Sequence, residues 1–124
     1  MADEVTLTFP AEEGFQRVAH LVLGGLAVRL DLTFEMLEDL QLALDGLLDR
    51  CPHDVEVTVA VTVDDGLIRT SVGPVDRRVL EELERDDNPL GLRRVLETVC
   101  DRIEVEERDG RQWIALTKSV KAEA

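Results

Sequence analysis

Between Val55 and Val63 every second residue is valine, and Glu56, Thr58, Ala60 and Thr62 stand between them. A period of two puts all five valines on one side of an extended chain, so the segment is a strand with one buried and one largely polar face. Asp64-Asp65-Gly66 follows as a hairpin turn signal, Leu67 to Val72 supplies the return strand, and Gly73-Pro74 ends it. A ribbon with one apolar face is not stable alone in water. It requires further strands beside it and an apolar layer over it.

The rest of the chain supplies both. Val5, Leu7 and Phe9 alternate with Thr6 and Thr8, a half-buried strand stopped by Pro10. From Glu12 to about Leu30 the period lengthens: Phe15, Val18, Val22, Leu26 and Leu30 fall three or four apart, one stripe of a helix. Gly24 and Gly25 each weaken that helix by about 1 kcal/mol relative to Ala, which points to close packing of another backbone there. Thr33 is the expected N-cap of a second helix, Phe34 to about Arg50, with Leu37, Leu40, Leu44 and Leu47 on one face and Cys51-Pro52 ending it. Val75 to Glu84 reads as a short polar helix and Arg85 to Pro89 as a loop. Leu92, Val95, Leu96 and Val99 mark a further helix, and Ile103 to Glu107, Asp109-Gly110 and Gln112 to Thr117 a second hairpin. The expected fold is α+β: a two-layer sandwich with a mixed five-stranded sheet and helices on one face. One domain is expected over residues 1–124, with a core of about 5–118 and a tail at 119–124.

Charge narrows the partners. There are 27 acids against 14 bases, a formal charge of −13, which repels phosphate backbones and anionic lipid and suits a basic protein partner. No nucleic acid and no membrane are therefore expected as direct partners. The apolar run Leu21 to Val28 is too short to span a bilayer, and the start MADEVTLTF is acidic where a leader peptide is basic, so a cytoplasmic location is expected. Cys51 and Cys100 are too few for a disulfide framework and read as free thiols. A zinc site would need Cys51, His53, Cys100 and His20 to converge; a helix-end cysteine and a partly buried, hydrogen-bonded His20 are the simpler readings.

Three stretches taken in order resemble the anti-sigma-factor serine kinases, small members of the histidine-kinase-like (Bergerat, GHKL) ATPase superfamily. They are HLVLGGLAVRLDLTFEMLEDLQLAL from His20 to Leu44, the valine hairpin, and NPLGLRRVLETVCDRIEVEERDGRQWIALTK from Asn88 to Lys118. The resemblance runs from Val5 to Lys118. It implies that Gly46 stands where the family has a Glu that polarises the attacking hydroxyl, and Arg50 where an Asn ligates Mg²⁺. Gly46 has no side chain and Arg50 is a permanent cation. The family's adenine-binding Asp-x-Gly reads Ser71-Val72-Gly73, and its phosphate-cradling Gly-x-Gly-Leu reads Pro89-Leu90-Gly91-Leu92. A proline has no amide to donate to a phosphate.

The resemblance therefore implies a degenerate member, a pseudokinase with no catalytic or metal-binding residue. Gly46, Arg50, Ser71, Gly73, Gly91 and Leu92 are its vestigial nucleotide-pocket positions. No cofactor is expected; ATP or ADP would bind, if at all, with impaired or no Mg²⁺ dependence. The implied function is anti-sigma-type regulation of transcription by protein–protein binding in a partner-switching pathway. The implied partners are a sigma factor, an anti-sigma-factor antagonist, or both, with the chain a homodimer. One expectation follows: Arg50 fills the vacated metal space and pairs with a nearby acid. Arg93 and Arg94, close to where phosphates lie in a functional relative, read first as salt-bridging to nearby acids, with a metal-free anion site made with Arg50 as the alternative. The alternative is an active kinase phosphorylating an antagonist, for which a one-residue bulge must turn Asp45 and Asp49 into the pocket.

Overall fold

The computed structural model describes residues 3–29, 32–52, 54–64, 66–85 and 91–119. Leu30, His53, Asp65, residues 86–90 (with Pro89 and Leu90) and the tail from 120 lie outside the described residues. The elements run β1 (Asp3–Pro10), α1 (Glu13–Arg29), α2 (Phe34–Leu48), β2 (Glu56–Asp64), β3 (Leu67–Val75), α3 (Arg77–Glu84), α4 (Leu92–Val99), β4 (Arg102–Arg108) and β5 (Arg111–Ser119).

The strands form one sheet in the order β1-β2-β3-β5-β4. Every neighbouring pair is antiparallel, so the sheet is not mixed as the sequence reading has it. The topology gives the reason. The α1–α2 pair brings the chain back against β1, and the β4–β5 hairpin inserts β5 between β3 and β4, the two strands that run the same way. The tight turn of that hairpin uses Asp109 at φ 52° and Gly110 at φ 77°.

Register fixes the inward face. Phe9, Val57, Val59, Val61, Ile68, Val72, Ile114 and Leu116 point to the helical layer and join one core cluster with Leu44, Leu47, Leu48, Leu92 and Leu96. Thr33 caps α2 as its sequence position predicts, its hydroxyl accepting from the Met36 amide at 3.1 Å. Asp76 does the same for α3 at Val79, 3.2 Å, which moves the start of that helix from the expected Val75 to Arg77. Lys118 enters the helical layer as well, donating to the Val99 carbonyl at 2.9 Å and lying 3.1 Å from Asp39. That closes the C-terminal end of α4 with a cation.

Three local expectations are corrected. Gly73-Pro74 does not end β3; the strand runs on to Val75 through a cis bond and a register shift. Gly24 and Gly25 receive no neighbouring backbone, since a Cβ at either would meet nothing within 4 Å. The deeply buried line of α1 is Ala19, Leu23 and Ala27, while Phe15 and Val18 stay exposed. Apolar residues lie all around α1, and small alanines are what the close approach to α2 and the sheet selects.

Candidate functional site

Gly46 and Arg50 lie one helical turn apart at the C-terminal end of α2. A Cβ at Gly46 would stand 3.6 Å from Leu92 Cδ1 and 3.9 Å from Val95 Cγ1, so this side of α2 faces the first turns of α4. Gly91 is the N-cap residue of α4 and offers no side-chain cap, and Leu92 is fully buried. Four of the six sequence-predicted positions, Gly46, Arg50, Gly91 and Leu92, therefore gather where α2, α3 and α4 meet.

Arg50 organises that meeting. Its Nε donates to Glu82 Oε2 on α3 at 2.6 Å, and its Nη1 donates to the Gly46 carbonyl at 2.8 Å. The expected pairing of Arg50 with an acid is thus present. A second arginine ties down the same helix: Arg93 of α4 donates through Nη1 to the Leu83 carbonyl and through Nε to Glu97, each at 3.2 Å. Both guanidinium groups are engaged by protein oxygens on or beside α3. An open depression of about 570 Å³ lies next to the Arg50–Glu82 pair, lined in part by Asp49, Arg78, Glu81 and Arg85. Its charged walls balance, with three acids facing three arginines.

Asp45 and Asp49 each reach a side chain of α1, Asp49 from the rim of that depression. Asp45 Oδ1 lies 2.7 Å from His20 Nε2 of α1, and Asp49 Oδ1 accepts from Gln16 Nε2 of α1 at 3.3 Å. Helix α2 thus presents Asp45 to α1 and Gly46 to α4, the arrangement an unbulged helix requires. His20 is partly buried and hydrogen-bonded, as expected.

Ser71 and Gly73 are not brought to this meeting point. Val72 points inward with Val59 and Ile114, so its neighbours on β3 face the outer side of the sheet. There Ser71 Oγ accepts from Arg108 Nη2 at 3.2 Å. Arg108 also stacks 4.7 Å above the Trp113 ring, which lies directly on Gly73. Glu106 accepts from both Arg108 and Arg69, with the Arg108 hydrogen bond foremost in holding its carboxyl below the usual carboxylate range.

A second, more apolar depression of about 370 Å³ lies at the sheet end, bordered by Val55, Val57, Pro74, Val75, Asp76 and Arg111 among others. The sequence carries no sign of it, because its walls come from three separate segments. Cys51 borders both depressions; burial, reinforced by Asp76, pushes its thiol up to about 11. Cys100 is likewise raised to about 11, chiefly by burial. Both are free thiols. Among the described residues no three His, Cys, Asp or Glu side chains stand together to hold a metal ion, and no helix is long and apolar enough to cross a membrane.

No protein-family profile matches the chain. A curated protein does: the serine-protein kinase RsbW of Halalkalibacterium halodurans is 26% identical over 138 residues, covering 94% of this chain and 83% of that protein. The chain is thus similar to a serine-protein kinase along nearly its whole length. The fold agrees, since the structure of the RsbU and RsbW domains of Rv1364c from Mycobacterium tuberculosis matches 95% of the chain with a TM-score of 0.69 at 16% identity. The chain spans 32% of that longer protein. The two-layer fold of that structure is thus shared over most of this chain.

Proposed function

We propose that this chain is a non-catalytic anti-sigma-type regulator that acts by binding protein partners in a partner-switching pathway controlling transcription. Its partners on this reading are a sigma factor, an anti-sigma-factor antagonist, or both, and it works as a homodimer. The observation that carries the reading is the Arg50–Glu82 contact at 2.6 Å, with the Asp45 and Asp49 carboxylates directed at α1. A magnesium nucleotide needs an uncharged or anionic ligand facing the phosphates. At this junction stand a glycine and a cation already paired within the protein. The residues present do not fit a metal-bound triphosphate.

Charge supports a basic partner segment. Glu38, Asp39 and Asp45 line an open depression on α2 beside His20, in a chain of net charge −13.

Calorimetric titration with ATP and with ADP, with and without Mg²⁺, tests the proposal at protein concentrations that resolve micromolar affinity. No heat in any arm is the expected result. Mg²⁺-dependent binding, together with phosphorylation of an antagonist that is lost in Asp45→Ala and Asp49→Ala, overturns it and establishes the kinase.

A further inference from the structure

The depression of about 370 Å³ at the sheet end combines an apolar floor with two opposite charges. Val57, Val75 and Val79 are buried beneath it, and Val55 stands 40% exposed at its edge. Asp76 and Arg111 are its charged lining residues. Val75 pairs with Gln112 across β3 and β5, so one step further along the antiparallel pair Asp76 and Arg111 stand across from each other.

These two charges face each other without pairing. Arg50, Arg69, Arg93 and Arg108 each hold a glutamate, whereas Arg111 has neither an ion pair nor a side-chain hydrogen bond among the described residues. Asp76 uses one carboxylate oxygen to cap α3 at the Val79 amide, which leaves the other for a ligand. After burial, Asp76 is the second cause that holds the proton on Cys51, so its charge acts into the depression.

We propose that this depression binds a free aliphatic α-amino acid, with its ammonium on Asp76, its carboxylate on Arg111 and its side chain on the valine floor. The charges select that class. An internal peptide segment carries neither charge and a chain terminus only one; a free amino acid carries both on a single carbon. A phosphate would meet Asp76 as a like charge. The floor offers no polar side chain to a polar substituent, so leucine, isoleucine and valine fit it best. Asp76 and Val79 belong to the cap and first turn of α3, so the bound amino acid would rest against the helix that Arg50 fastens at its other end.

Calorimetric titration of the full chain with L-leucine, L-isoleucine and L-valine tests the site. Saturable one-to-one binding of at least one of them is expected. N-acetyl-leucine lacks the ammonium and leucinamide the carboxylate, so each is expected to bind at least about tenfold more weakly than leucine, as the loss of a charged hydrogen bond implies. Asp76→Asn keeps a side chain able to cap α3, and Arg111→Gln alters an exposed residue, so both variants are expected to retain the wild-type circular-dichroism spectrum. Each is expected to weaken leucine binding by a similar factor. Absence of binding by all three amino acids overturns the proposal, as does binding that survives both substitutions. Blocked analogues that bind as well as leucine overturn recognition of the zwitterion, and saturable binding of adenosine in place of the amino acids overturns the ligand class.

Discussion

Arg50 Nε lies 2.6 Å from Glu82 Oε2, joining the end of α2 to α3 across 32 residues of chain. The same guanidinium returns to its own helix at the Gly46 carbonyl. The contact therefore fastens α3, the short helix beside the depression, instead of leaving it free to open over a ligand.

Removing either partner is expected to cost little global stability and to loosen α3 locally. The two side chains are 28% and 34% exposed, which limits their coupling to about 0.5–1 kcal/mol. A double-mutant cycle of Arg50→Ala and Glu82→Ala in urea measures that coupling. Amide exchange is expected to quicken in Arg77–Glu84 before other helices, and uniform quickening would refute a local clip.

Gly46→Ala is expected to stabilise the chain by about 0.5–1 kcal/mol, because Ala lowers the backbone entropy lost in a helix. Space permits it, since the nearest side-chain atom is 3.6 Å from the new Cβ. A lower urea midpoint would mean that α4 cannot accept even a methyl group.

Gly73→Ala is expected to do the opposite. A Cβ there would lie 2.4 Å from Trp113 Cδ2, so the ring must leave the strand and with it Arg108. The cost is about 1–3 kcal/mol, as for other overpacked sites. Trp113 is the sole tryptophan, so its emission reports the change directly, with a red shift in the native state expected.

Both thiols are expected to react slowly with disulfide reagents at neutral pH and to become fast on unfolding. Cys51 and Cys100 are each raised to about 11, so the reactive thiolate is scarce in the folded chain. Because the folded value lies above the unfolded one, the associated stability is full below the unfolded value and is lost as pH rises toward 11. Cys51→Ala and Cys100→Ala together are expected to flatten the alkaline limb of a stability–pH curve.

Glu106 governs part of the acid limb. Its carboxyl is held low, first by the hydrogen bond from Arg108, so its contribution is present above the usual carboxylate range and fades as pH falls through the lowered value. Glu106→Gln is expected to reduce the acid-side slope, and an unchanged slope would assign the effect to other carboxylates.

Local periodicity is a property of the chain alone, and it carries much of the fold. The alternating valines of β2, the Thr33 cap of α2 and the Asp109-Gly110 turn are each decided within a few residues, because twist, hydrogen-bonding and φ preferences act at that range. The likeness to the anti-sigma-factor serine kinases is carried by the same local order. Which way a side chain points relative to the second layer is different. Ser71 and Gly46 read alike as pocket positions, yet packing of Val72 into the core turns Ser71 to the outer face, while Gly46 meets Leu92. The partner of Arg50 was legible only as an acid somewhere near; tertiary structure chose Glu82 by laying α3 beside the end of α2. The inward line of α1 was likewise undecided among its many apolar residues until the layers closed on Ala19, Leu23 and Ala27. A sequence period fixes faces of single elements, and only the packing of those faces against distant segments decides which is buried, paired or left open.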